Sequence, residues 1–249
     1  MRPILALLLS WLSASALAGS VNPVDLRCEY NVNPLGIDSA SPRLFWKLAG
    51  ADRGARQTAY HVLVASSEDF LRRGQGNLWD SGKVKSDQAT FLSYAGKPLT
   101  SRQGCFWKVR VWDQRGRGSD WSTNAAWIMG LLAESDWRGQ WIASDLELMD
   151  YQKTLRALTD FGMEPEKEMW TLSKKIREMT VAVSNSPAVW LRKEFDAPKP
   201  IRRATVSVSG LGLFELYVNG QRISDHQLDP AFTDYQKRVF YLTHDVTAA

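Results

Sequence analysis

The sequence predicts an all-β protein built of sandwich units, and three observations carry that expectation. Between about Val24 and Leu132, seven short runs rich in β-branched and aromatic residues are separated by turn residues, with no long helical period among them. Alternation is sharpest from Cys105 to Asp113, where Cys105, Trp107, Val109 and Val111 share one face while Lys108 and Arg110 share the other. β patterning then resumes at Val189, after a stretch of different character. Seven short strands in one such region are the pattern of a fibronectin type III or immunoglobulin-like sandwich.

Taken in order, residues 1–18 read as a secretory signal peptide. Arg2 supplies a positive start, Ile4 to Leu12 is almost wholly apolar, and Ala16-Leu17-Ala18 sets a cleavage site before Gly19. The apolar stretch is shorter than the ~20 residues needed to span a bilayer. The expectation is therefore a periplasmic or secreted protein with no membrane segment after cleavage.

The first sandwich is expected over 21–132. Its candidate strands are Val24–Tyr30, Arg43–Leu48, Thr58–Ser66, Leu78–Asp80, Thr90–Tyr94, Cys105–Asp113 and Ala125–Gly130. Leu44, Trp46 and Leu48 share one face of the second, and Tyr60, Val62 and Val64 one face of the third. Trp46 and Trp107 are the natural core anchors. Asp136 to Ala143, with Trp137 and Trp141, reads as a junction into a second unit spanning 133–249. Within it, about 145–180 has helical spacing (Leu146, Met149, Leu155, Leu158; then Met169, Leu172, Ile176) broken near Gly162 and Pro165, and Trp170 there reads as a packing residue. Later candidate strands are Val189–Phe195, Ala204–Ser209, Leu213–Val218, Gln221–Ile223 and Arg238–Thr243. Asn219-Gly220 supplies the positive-φ residues of a two-residue type I′ hairpin. Five strands are too few for a complete sandwich.

Cys28 and Cys105 are the chain's two cysteines. In an oxidising compartment they could form a disulfide, contributing about 4 kcal/mol in the loop-entropy model. The other reading is two separate buried thiols. With His61, His226 and His244 far apart in sequence, no metal-ligand spacing is present, and no cofactor is expected.

The formal net charge is +4, without a basic run, which argues against a nucleic-acid partner. Eleven tryptophans suit both sandwich cores and sugar-binding faces. No nucleophile elbow, P-loop, dinucleotide fingerprint or zinc-protease motif occurs. Asp229 and Asp234, in Leu-Asp-Pro-Ala-Phe-Thr-Asp-Tyr, form the most tempting carboxylate pair, but turn chemistry explains them more simply. The same holds for Asp80, Asp113 and Asp120 at strand ends. No catalytic residue is assigned.

Several runs carry a family resemblance: Leu-Arg-Cys-Glu-Tyr (26–30), Asn-Pro-Leu-Gly-Ile-Asp (33–38), Ser-Pro-Arg-Leu-Phe-Trp (41–46), Gln-Thr-Ala-Tyr-His-Val-Leu-Val-Ala-Ser (57–66), Leu-Trp-Asp-Ser-Gly-Lys-Val (78–84) and Phe-Trp-Lys-Val-Arg-Val-Trp-Asp (106–113). They resemble the start of bacterial α-L-rhamnosidases. Leu-Arg-Lys-Glu-Phe (191–195), Leu-Gly-Leu-Phe-Glu-Leu-Tyr-Val-Asn-Gly (211–220) and 228–235 resemble that family's N-terminal jelly-roll domain. The resemblance implies a fibronectin-like sandwich followed by an incomplete jelly-roll β-sandwich with a short helical insertion. In the family these precede an (α/α)₆ barrel that performs inverting hydrolysis of terminal α-L-rhamnosides. None of the barrel's motifs occurs here, so this chain alone is expected to be inactive. Rhamnose-containing glycans would be partners of that missing catalytic domain. A stand-alone carbohydrate-binding module and an adhesive fibronectin-like protein are the alternatives.

Overall fold

The computed structural model describes residues 21–50, 53–142, 156 and 188–249. The chain forms two compact units: Met1–Trp137 together with Arg202–Ala249, and Arg138–Ile201. The expected signal peptide (1–18), Trp170 and, apart from Arg156, the expected helical insertion (145–180) lie outside the described residues.

In the first unit the seven early runs all become strands: β1 (Asn22–Cys28), β2 (Arg43–Ala49), β3 (Gln57–Ala65), β4 (Trp79–Asp80), β5 (Leu92–Ser93), β6 (Gly104–Asp113) and β7 (Ala125–Ile128). They form two antiparallel sheets, ordered β1-β2-β5 and β4-β3-β6-β7. This three-on-four arrangement is an immunoglobulin-like sandwich. Side chains from both sheets meet in one core: Leu26, Cys28, Leu44, Trp46 and Leu92 from one, and Tyr60, Val62, Val64, Trp107, Val109, Val111 and Trp127 from the other. Cys105, Trp107, Val109 and Val111 are fully buried, as the alternation demanded. Leu48, opposite Pro23 near the end of β2, is exposed instead of sharing the buried face of Leu44 and Trp46.

Trp46 brings a polar atom into this core, and the sequence supplies its partner. Its indole N–H donates to Gln57 Oε1 at 2.9 Å, and Gln57 Nε2 donates to the Ser86 and Gln88 carbonyls at 3.2 and 2.8 Å. The buried amide is thereby satisfied on both ends. The helix α1 (Glu68–Arg72) is absent from the sequence expectation. One buried residue, Leu71, anchors it against Leu63 and Ala65, on the face of β3 turned away from the main core.

The later part of this unit holds two short ribbons. β8 (Thr205–Ser209) pairs antiparallel with β11 (Tyr241–Asp245), and β9 (Tyr217–Val218) with β10 (Gln221–Arg222). The type I′ turn is as predicted, with Asn219 at φ 50° and Gly220 at φ 80°. The predicted run Leu213–Val218 is strand only at Tyr217–Val218, and the run starting at Arg238 becomes β11, shifted to Tyr241–Asp245. Alternation without a ladder partner does not make a strand. Tyr241 ties these ribbons to the sandwich: its hydroxyl accepts the Leu131 N–H at 2.8 Å, and its ring meets Trp137 edge-on at 5.8 Å. A Cβ on Gly130 would lie 2.4 Å from the Tyr241 hydroxyl, so only glycine permits this approach.

In the second unit the described residues 138–142 and 188–201 are almost all exposed and contain no strand. The predicted strand Val189–Phe195 is therefore corrected to irregular chain. Among the described residues no neighbouring strand supplies its ladder hydrogen bonds, and Trp190 and Phe195 are largely exposed.

Candidate functional site

Four of the five candidate carboxylates, Asp80, Asp113, Asp229 and Asp234, are engaged by neighbouring donors. Asp113, at the end of β6, is buried and accepts the Arg115 and Arg117 N–H groups at 2.9 Å and the Arg117 guanidinium at 2.7 Å. Burial alone would raise its pKa, but these donors outweigh it and hold the carboxyl below its ordinary value. Asp80 is treated likewise: burial opposes ionisation, while the Gly82 N–H at 2.9 Å and His61 Nε2 at 2.6 Å lower its pKa. Asp229 pairs with His226 at 3.3 Å, and Asp234 pairs with Lys237 at 3.0 Å and caps its own turn. Asp120 is exposed in the irregular segment after β6. His244, on β11, has a pKa lowered by burial. Among the described residues no group of three or more His, Cys, Asp or Glu could hold a metal ion, and no helix is long and apolar enough to cross a membrane.

Cys28 and Cys105 are free thiols buried in the same core, on strands of opposite sheets. Desolvation pushes both pKa values up, Cys105 to about 12, so neither is a reactive thiolate.

Two outer faces carry what the core does not. On the four-stranded sheet, cations and indoles interleave. The Arg110 guanidinium stacks 4.9 Å from both Trp112 and Trp121, Lys108 lies 4.9 Å from Trp121, and Lys83 lies 4.3 Å from Trp112. Beneath this ladder, Ser119 and Ser122 complete the sheet. Their hydroxyls accept the Val111 and Val109 N–H groups at 3.0 and 3.1 Å, while their own N–H groups donate to the same residues' carbonyls at 2.8 Å. The ladder is thus filled by its own residues and fixes the segment after β6.

The three-stranded sheet carries a second aromatic cluster, more exposed than the first. Tyr30, Phe45 and Phe91 form a ring cluster with centroids 4.6, 5.2 and 5.9 Å apart. Phe45 is covered, whereas Tyr30 is 50% and Phe91 52% exposed. The Arg43 guanidinium lies over one side of the cluster, 5.3 Å from the centroid of Tyr30 and 5.7 Å from that of Phe91. Its Nη2 donates to Glu29 Oε2 at 2.6 Å and its Nε to the same oxygen at 3.1 Å, while its backbone N–H donates to Oε1 at 2.7 Å. Those bonds to Arg43 hold the Glu29 carboxyl below its ordinary pKa. Sequence reasoning singled out none of these residues as a site. Four of them, Glu29, Tyr30, Arg43 and Phe45, lie within the runs 26–30 and 41–46 that carry the family resemblance, which was the available signal.

Comparison with known proteins addresses both sandwich regions. Residues 23–133 match the model of the Rha78A-like N-terminal immunoglobulin domain, and 199–249 match that of the α-L-rhamnosidase N-terminal domain. The chain is an N-terminal region of the α-L-rhamnosidase family. It is 35% identical over 216 residues to an α-L-rhamnosidase of Formosa agariphila, covering 86% of this chain and 21% of that protein. An α-L-rhamnosidase of Streptomyces avermitilis is 35% identical over 201 residues, covering 81% and 18% respectively. Among solved structures, the α-L-rhamnosidase from Dictyoglumus thermophilum superposes with a TM-score of 0.70 at 34% identity, covering 91% of this chain and 23% of that one. The enzyme from Aspergillus terreus, at 22% identity and TM-score 0.64, supports the fold alone. The chain thus spans about a fifth of the length of the curated relatives it matches.

Proposed function

We propose that this chain is the N-terminal accessory region of an exported α-L-rhamnosidase, whose catalytic residues lie in a part of the polypeptide outside these 249 residues. The observation that carries the reading is the colinear match to two N-terminal rhamnosidase domains within relatives about four times as long. The carboxylate chemistry agrees with it. Inverting glycoside hydrolysis needs a general acid with raised pKa facing a base roughly 6.5–9.5 Å away. Asp80 and Asp113 are instead held ionised by donors and ion pairs, Asp234 is paired with Lys237, and Asp229 faces the His226 ring.

In this reading the substrates are terminal α-L-rhamnosides, and the immunoglobulin-like sandwich is a rigid base onto which Tyr241 fastens the following β-ribbons. Export through the 1–18 signal is part of the proposal, and N-terminal sequencing of exported protein should begin at Gly19. The deciding experiment assays p-nitrophenyl α-L-rhamnoside with two proteins: the 249-residue chain, and the polypeptide continued through the downstream coding sequence. Turnover by the longer protein and none by the shorter is the expected result. Turnover by the short chain that vanishes on changing one of its carboxylates would overturn it.

A further inference from the structure

We infer that the Tyr30–Phe45–Phe91 cluster with its Arg43–Glu29 edge is a binding site for a neutral saccharide, a deoxyhexose such as a rhamnosyl unit. The inference deepens the rhamnosidase reading and rests on it for the identity of the sugar. Its first support is backbone geometry. Glu29, Tyr30 and Phe91 sit at φ 46°, 67° and 55°, the left-handed region that disfavours residues with a Cβ. Glycine or asparagine would serve such turns without that cost. Tyr30 and Phe91 stand outside the sandwich core, so the strain is not offset by core burial. Strained residues that hold exposed rings together mark a site rather than a packing solution.

The chemistry of the patch selects the ligand. Ring faces accept the C–H-rich face of a pyranose, and a 6-deoxy sugar adds a methyl group to that apolar side. Glu29 and Arg43 neutralise each other, so the border offers hydrogen-bonding groups without a net charge to favour a phosphate or a peptide acid. The bonds between them fix the guanidinium plane before any ligand arrives, which reduces the ordering cost of binding. The two exposed rings, Tyr30 and Phe91, suit one sugar ring and fall far short of the ~20–30 residues a side in a stable protein interface.

The test is saturation-transfer NMR on the full chain with methyl α-L-rhamnopyranoside, using methyl β-D-galactopyranoside as the comparison sugar. Saturable transfer to the rhamnoside is expected. Tyr30→Asn and Phe91→Asn should each weaken binding at least tenfold while leaving the melting temperature unchanged or higher, because asparagine tolerates the positive φ. Absence of transfer in the unaltered chain overturns the proposal, as does binding that survives both substitutions. A fall of several degrees in melting temperature for both variants would make the rings structural and overturn it too. No transfer, combined with variant-sensitive activity in the continued polypeptide, would assign the patch to a protein contact. An active continued polypeptide with no sugar response removes the site alone; sugar binding beside an inactive continued polypeptide removes the hydrolase reading alone.

Discussion

Two β regions of one unit, the sandwich up to Trp137 and the ribbons from Arg202 onward, are written in similar residues and settle very differently. The sandwich buries Trp46, Trp107, Trp127 and a dense set of aliphatics between its sheets. The ribbons contribute no buried large apolar side chain, and Leu211, Leu228 and Phe232 are well exposed. Strand propensity is comparable in both, so propensity is not what separates them. The sandwich has a second layer for each apolar face, and the ribbons lean on it mainly through Tyr241, Trp137 and the glycines beneath.

The largest expected effect follows directly. Trp107→Ala should cost the sandwich about 3–5 kcal/mol, read by urea denaturation, whereas Phe232→Ala should shift stability by no more than about 0.5 kcal/mol. Equal losses would show that the ribbons possess a core of their own. Next comes the junction. Gly130→Ala places a methyl group against the Tyr241 hydroxyl and the Gly36 carbonyl, and should cost about 1–3 kcal/mol. Limited proteolysis should then cut within 202–249 sooner while the sandwich fragment persists.

Acid should act on the sandwich through its depressed carboxylates, Glu29 and Asp113 among them. The pKa values of Glu29 and Asp113 are depressed in the folded state, chiefly through Arg43 and against burial through Arg117, respectively. Their contributions are whole above the ordinary values of 4.5 and 3.8 and are lost as the pH falls below them. Melting temperature should therefore hold down to about pH 5 and decline toward about pH 3, with a shallower decline in Asp113→Asn. A melting temperature that rises on acidification would reverse the sign of both interactions. The smallest effect concerns the thiols. Cys28 and Cys105, buried and raised in pKa, should resist alkylation in the native reduced protein and react once it is unfolded. Intact mass of the protein, with and without reductant, decides whether an oxidising environment joins them.

How far the sequence was legible follows the same division. β6 was readable residue by residue because one face meets the core and the other meets solvent and cations, so alternation and burial coincide. α1 escaped notice because it is barely more than a turn and a single leucine holds it. Val189–Phe195 and Leu213–Leu216 alternate as strands do, yet pairing is a long-range property that a local pattern does not encode. The ring cluster was hidden for another reason. Nothing in the letters Glu-Tyr or Thr-Phe announces a left-handed backbone, since glycine and asparagine are the residues that usually signal it. The structural roles of Asp80 and Asp113 were the ones turn chemistry suggested.

The paired serines beneath the indole ladder bear on how this protein behaves beside copies of itself. β6 runs on past the end of β7, and from Val109 to Asp113 its outward main-chain groups could have served as a template for a foreign strand. Ser122 and Ser119 occupy Val109 and Val111 with a hydroxyl and an amide each, and the Arg117 carbonyl takes the Asp113 N–H at 3.0 Å. A newcomer would have to displace four good hydrogen bonds at those two valines to gain the same number. Recruitment of a second molecule by strand addition is thus blocked at this sheet margin by two hydroxyl groups rather than by charge or bulk.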